Sequence, residues 1–265
     1  MYFIRKSLPT GRQADYPYIS NYMSGHSKWH NIQGKKGKAD KLRSGQFTKM
    51  ARMITVAAKE GGGDAEMNFS LRLAVDKAKA VNMPKDNIDR AIKRGIGELE
   101  DGQVFESIIY EGFAPGGVAL LIESLTDNRN RTSGELRNIL SKGGGSFAGA
   151  GSVQWQFAHM AVVRVEATEL GKVANKKADF EMALIEAGAE AIEESENGVE
   201  IVGNITNFQK LIQAVQSFDL EITTSALEWI AKEKMTVDAE TLEKIENLVA
   251  TLDDNDDVKE VYTNL

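Results

Sequence analysis

The period of the hydrophobic pattern changes once along this chain, near Gly102, and that change sets what the chain can fold into. Before it, apolar residues recur three and four positions apart. Phe47, Met50, Ile54, Ala57 and Ala58 mark one face of a helix over 47–59, which ends at Gly61-Gly62-Gly63, where a tight reversal needs backbone that only glycine adopts cheaply. A second helix is expected over about 68–81. A third follows Pro84, with Asp86 and Asp89 near its positive end and Lys93, Arg94 and Gly95 closing the other.

Past Gly102 the runs are short, β-branched or aromatic, and separated by turns. Residues 106–113 and 118–126 read as a hairpin around Ala114-Pro115-Gly116-Gly117. A helix through Leu136, Ile139 and Leu140 comes next, then a strand with Val153, Trp155 and Phe157 on one face. Residues 160–228 give strand, helix, strand, strand, helix, strand, the split ferredoxin-like order. The tail supplies a strand at 229–237, a helix through Leu242, Ile245, Leu248 and Val249, and a closing strand at 258–262, which need the sheet begun at Glu106 for partners. The fold class expected is therefore multi-domain α and α+β: a helical N-terminal domain plus two α+β, ferredoxin-like domains, one inserted into the other. The boundaries read as a disordered leader at 1–22, a basic arm and three-helix domain at 23–101, an α+β domain from 102–159 and 229–265, and the insertion at 160–228.

Charge is divided in the same way. Residues 23–97 carry sixteen Lys and Arg against seven Asp and Glu, whereas 98–265 carry thirteen against thirty-one, so the formal charge of −7 hides a dipolar chain. One positive lobe suits a polyanion, and an acidic body keeps the remainder away from it. The cations are densest at the front: residues 24–59 hold nine basic side chains and one acid, with Gly25, Gly34 and Gly37 interrupting any helix in the arm. Lys28, Lys35, Lys36, Lys38, Lys41 and Arg43 lie in that arm, and Lys49, Arg52 and Lys59 form a cationic outer stripe on the first helix. Each phosphate neutralised by such a group releases counterions. Trp29, beside Lys28 and His30, either stacks on an exposed base or anchors the arm to the helices. In TDNRNRT, Arg129 and Arg131 sit where a strand passes into a helix, a second candidate phosphate site; capping by Asp127 or Thr132 with internal salt bridges is the alternative.

Other chemistries find little support. The chain has no cysteine, which removes disulfides, thiolate metal sites and thiol nucleophiles and suits a reducing cytoplasm. Its longest apolar stretch, 118–122, cannot span a bilayer. His26 and His30 lack further zinc ligands near them, and the acids Asp253, Asp254, Asp256 and Asp257 lack the spacing of a calcium loop and read as a solvated turn. Neither a phosphate-binding P-loop nor a nucleophile elbow occurs. No enzyme, metal or cofactor is expected.

Several ordered segments are similar to the YebC/PmpR family: GHSKWHNIQ at 25–33, GGGDAEMNFSLRLAVDKAKAVNMP at 61–84, RAIKRG at 90–95, YEGFAPGGVA at 110–119, TDNRNRT at 126–132, GSVQWQF at 151–157 and LDDNDDVKEVY at 252–262. The resemblance runs from about Met23 to Leu265. It departs from the family pattern at Gln33-Gly34, where Lys-His is common, at Phe147-Ala148, where Leu-Gly is common, and at Ala231, where a Pro often follows Trp-Ile. The resemblance implies a three-domain regulator of gene expression: a DNA-binding transcriptional regulator, or, as in the related mitochondrial translational activator of cytochrome oxidase, a translation factor on ribosomal RNA that eases stalled elongation. On the residues alone, the glycine-interrupted arm suits structured RNA, and Asp86 near the start of the third helix disfavours a groove-reading helix.

Overall fold

The computed structural model describes residues 39–99 and 105–265, with side chains from residue 45 onward. Three helices open it: α1 (Ala39–Gly61), α2 (Phe69–Ala80) and α3 (Lys85–Gly95). Helix α1 begins at Ala39, well before Phe47, so the last part of the predicted arm is helical: the stretch from Ala39 through Lys41 and Arg43 to Ser44 contains no glycine. After α1, Gly62 takes the left-handed conformation (φ 87°) and Asn68 secures the reversal. Its Oδ1 accepts the Leu71 N–H at 3.1 Å while its Nδ2 donates to the Ala57 and Gly62 carbonyls at 2.7 Å each. Pro84 is the N-cap of α3. Gly95 lets α3 press onto α1, since a Cβ there would lie 2.4 Å from the Thr55 carbonyl oxygen. Ile54, Leu71, Ala78 and Ala91 fill the small core between the three helices.

The rest forms two four-stranded antiparallel sheets. The first contains β1 (Glu106–Phe113), β2 (Ala119–Thr126), β3 (Ser146–Ala148) and the final strand of the chain, β8 (Val258–Thr263), in the order β3-β1-β2-β8. Helix α4 (Arg129–Lys142) and a later helix cover one face through Leu136, Leu140, Ile245, Leu248 and Leu252. The second sheet is built from the chain between them: β4 (Phe157–Glu166), α5 (Lys177–Glu186), β5 (Ala189–Ser195), β6 (Gly198–Gly203), α6 (Phe208–Gln216) and β7 (Thr224–Ala231), in the order β5-β6-β4-β7. This is the split βαββαβ arrangement. Helix α7 (Ala239–Asp253) and β8 (Val258–Thr263) then return to the first sheet, where β8 pairs with β2. The uncovered face of that sheet, with Ala119, Leu121 and Tyr262, packs on Val153, Phe157 and Ala231 at the base of the second.

Two local expectations fail. Val153, Trp155 and Phe157 do not share a strand: Gln154–Gln156 is a 3₁₀ turn, leaving Val153 and Phe157 buried and Trp155 67% exposed. The cause is Glu111, a β1 carboxylate only 2% exposed, which accepts the N–H groups of Gly151, Val153 and Gln154 at 2.5, 2.6 and 2.9 Å and folds that segment around itself. Trp229 and Ile230 continue β7 instead of opening a new strand, and the chain then leaves the sheet, with the Met235 N–H donating to the Asn264 carbonyl at 2.6 Å.

The second sheet contains a buried ion group. Arg164 on β4 donates to Glu200 on β6 at 2.6 Å and, with both terminal nitrogens, to Glu228 on β7 at 2.8 Å. Burial pushes the Glu200 carboxyl above its ordinary range despite Arg164, and its Oε1 has no hydrogen-bond partner. Arg164→Met is expected to cost about 3–5 kcal/mol, because it strands two carboxylates inside the sheet. Chemical denaturation checks this, and the triple variant with Glu200→Gln and Glu228→Gln should recover part of the loss.

Candidate nucleic-acid interface

Helical spacing sets Lys49, Arg52, Val56 and Lys59 along one side of α1, away from Ile54 and the helical core. The expectation was an outer stripe. Instead this side faces the turn between α7 and β8. The Lys49 ammonium donates to the Asp253 carbonyl, and the Arg52 guanidinium donates to the Asp256 carbonyl and to the Asp257 carboxylate, the last at 2.6 Å. Lys59 reaches the Phe105 carbonyl at 3.5 Å, and Arg52 lies over the Phe105 ring, 5.2 Å from its centroid. Burial holds the Lys49 amine below its ordinary pKa, against the pull of Asp253, Glu260, Asp256 and Asp254.

The acidic turn is also other than expected. It is not simply a solvated loop, because Asp257 is 3% exposed. Asn255 accepts the Asp257 N–H at 2.9 Å and the Asp257 carbonyl accepts the Leu125 N–H at 2.8 Å, which together aim the side chain inward under the first turn of α4. There its carboxylate takes both oxygens' worth of donors: Arg131 at 2.8 and 3.0 Å, Arg52 at 2.6 Å and the Thr132 hydroxyl at 2.5 Å, with the Thr126 hydroxyl at 3.3 Å. Burial raises the Asp257 pKa, but the Thr132 and Arg131 hydrogen bonds and the Arg52 and Arg131 charges outweigh it, and the net shift is downward.

The same contacts define the Arg129 and Arg131 site. Asn128, not Asp127 or Thr132, caps α4, its side chain accepting the Arg131 N–H at 3.1 Å. Arg131 bridges Asp127 at 2.8 Å and Asp257, while Arg129 forks onto Glu106 and remains 67% exposed on its side chain. The basic start of α4 thus already faces an anion, the Asp257 carboxylate. Lys49, Arg52 and Arg131 converge on one turn, whereas Arg129 stands apart on the rim. Lys28, Trp29, Lys35, Lys36 and Lys38 lie outside the described residues; Lys41 and Arg43 fall in the first turns of α1. Asp257 and Glu111 escaped the sequence reading as organising residues. Their only signals were an acid directly before the VKEVYT strand and an acid directly after the apolar Ile108-Ile109-Tyr110.

The described residues thus form a three-helix unit followed by two four-stranded antiparallel α+β sheets, with a cationic helix docked on an acidic turn, and among them no group of three or more His, Asp or Glu side chains could hold a metal ion. The chain belongs to the TACO1/YebC family: the model of its second and third domains matches residues 105–265 and that of its N-terminal domain matches residues 27–98. That family is not known for enzymes. The chain is 45% identical to the probable transcriptional regulatory protein TTE1135 of Caldanaerobacter subterraneus subsp. tengcongensis over 92% of its own length and 98% of that protein's. It is 46% identical to the probable transcriptional regulatory protein of Maridesulfovibrio salexigens, covering 91% of this chain and 95% of the relative. The crystal structure of the conserved hypothetical protein Aq1575 from Aquifex aeolicus superimposes with a TM-score of 0.77 at 36% identity, over 89% of this chain and 96% of that one. Among the described residues no helix is long and apolar enough to cross a membrane.

Asp257→Asn keeps the size and removes the charge. It is expected to lower stability by about 2–4 kcal/mol at neutral pH, since Arg52 and Arg131 lose their shared carboxylate. Because the folded pKa of Asp257 lies below its unfolded value, this contribution is complete above the ordinary aspartate range and disappears as pH falls through the depressed pKa. Thermal melts of both proteins from pH 7 down to pH 3 check this: the gap between them should narrow only at the acid end.

Proposed function

We propose that this chain is a non-enzymatic nucleic-acid-binding regulator of gene expression, a DNA-binding transcriptional regulator, with the basic arm and the start of α1 as its principal contact. The observation that carries this reading is the segregation of charge, sixteen cations against seven acids over 23–97 beside a strongly acidic remainder. The names of its relatives agree with it. Lys28, Lys35, Lys36, Lys38, Lys41 and Arg43 supply phosphate contacts, and Trp29 a base-stacking surface. Lys49 joins them only by leaving the Asp253 carbonyl, Arg52 and Arg131 only by exchanging the Asp257 carboxylate for phosphate, and Arg129 only by leaving Glu106.

A second reading keeps the same surface and replaces DNA with ribosomal RNA, in a translation factor that eases stalled elongation. Gly25, Gly34 and Gly37 favour it, because a cationic sequence interrupted by glycines suits irregular RNA better than a regular groove. Crosslinking in cells with sequencing of both bound RNA and bound DNA separates the two. For the shared surface, replacing Lys35, Lys36, Lys38 and Lys41 with Glu is expected to abolish retention on either nucleic acid with no change in the melting temperature. Six to ten phosphate contacts imply that native binding falls by about 10³–10⁵ between 50 and 200 mM salt. Unchanged binding of the variant at moderate salt would remove the arm from the mechanism.

A further inference from the structure

We propose that the side of α1 carrying Lys49 and Arg52 is a second phosphodiester-binding surface that the 253–257 turn occupies as an internal phosphate mimic, so that nucleic acid and the turn compete for it. The inference rests on the reading of the arm as a nucleic-acid contact and extends it to a masked portion of the same helix.

Four observations support competition. The face is continuous with the arm: positions 41, 45, 49, 52, 56 and 59 fall on one side of α1, so a backbone gripped at the front of the helix is led along it. What covers the face is anionic or carbonyl oxygen: the Asp253 and Asp256 carbonyls and the Asp257 carboxylate meet the same donors that phosphate oxygens would. The apolar part of the contact is small, essentially Met53, Val56, Phe105 and Leu125. Beside it lies a cavity of about 260 Å³, lined by residues including Val56, Glu60, Leu73, Glu123 and His159, so the lobes are not closely packed across the whole junction. Elsewhere α2 holds the helical unit, with Phe69 and Leu73 packed on the core of the second sheet and Phe69 edge-on to Phe208 of α6 at 5.0 Å between centroids, so competition need displace only the α1 side of the junction.

The chain has no native cysteine, so a pair can be placed at the junction alone. A Cβ at Gly45 would lie 3.7 Å from Asp256 Oδ1, which makes Gly45→Cys with Asp256→Cys a direct report of docking. Labelled with pyrene maleimide, this protein should show excimer emission that falls as a 30-base-pair DNA duplex or an RNA hairpin is added. Tethered with a short bis-maleimide, it should bind either probe at least tenfold more weakly than its untethered form, with a salt slope shallower by about two. Asp254→Asn with Asp256→Asn, both exposed, should tighten binding several-fold over the control Glu243→Gln with Glu246→Gln on the exposed side of α7. Constant excimer emission at saturating probe, equal affinity and slope with and without the tether, or no difference from the control pair would each overturn the competition. If the four-lysine arm variant loses binding while these results fail, only the masked surface is lost. If that variant binds normally, the reading beneath it fails too.

Discussion

A carboxylate taken out of water must be matched by donors around it, and Asp257 is the place where this chain meets that requirement. Its neighbours come from distant segments: Arg52 from the helical unit, Thr126 from the end of β2, and Arg131 and Thr132 from the first turn of α4. Because Asn255 and the Leu125 N–H fix the backbone on either side, the carboxylate cannot turn outward without breaking the entry of β8 into the first sheet. One side chain thereby sets the start of a helix, the join of the last strand and the seat of the N-terminal unit. Glu111 does the same on a smaller scale, gathering the N–H groups that shape the segment leading into β4.

The charge division of the chain takes on a second meaning in this geometry. A positive lobe beside an acidic body suits a polyanionic partner, but it also makes the two halves attract each other. Lys49 and Arg52 meet the turn at 253–257 for the same reason that lysines meet phosphate, so a count of cations overstates how many are available to a partner at rest. Arg131 is engaged in the same way, and Arg129 is held by Glu106.

Periodicity made the fold legible because each unit follows a local rule. The glycine reversal, the helix after Pro84, the β1–β2 hairpin and the βαββαβ order all depend on residues close to one another in sequence. The failures share a cause as well. Nothing near Val153, Trp155 and Phe157 signals that Glu111 draws in the backbone between them, and alternation alone reads those residues as a strand. Within Asp253, Asp254, Asp256 and Asp257 no residue is marked as the inward one, since its partners stand at 52, 126, 131 and 132. The candidate site was legible as composition, a cluster of cations, while the docking of part of that cluster depended on long-range contact.

Magnitudes decide what such a junction can do. Exposed ion pairs contribute about 0–1 kcal/mol each, and even the better-buried Arg52–Asp257 pair must offset the desolvation of both partners. A single free anion gains too little to displace that turn, because it brings one charge against several preplaced acceptors. Under the proposed competition a polymer held by the arm would differ, since its next phosphates would arrive at high effective concentration along the same helix. On that proposal the acidic turn would set a threshold on the length and hold of the anion. Small phosphates would then fail to displace contacts that a continuous nucleic-acid backbone, anchored at the front of α1, would exchange.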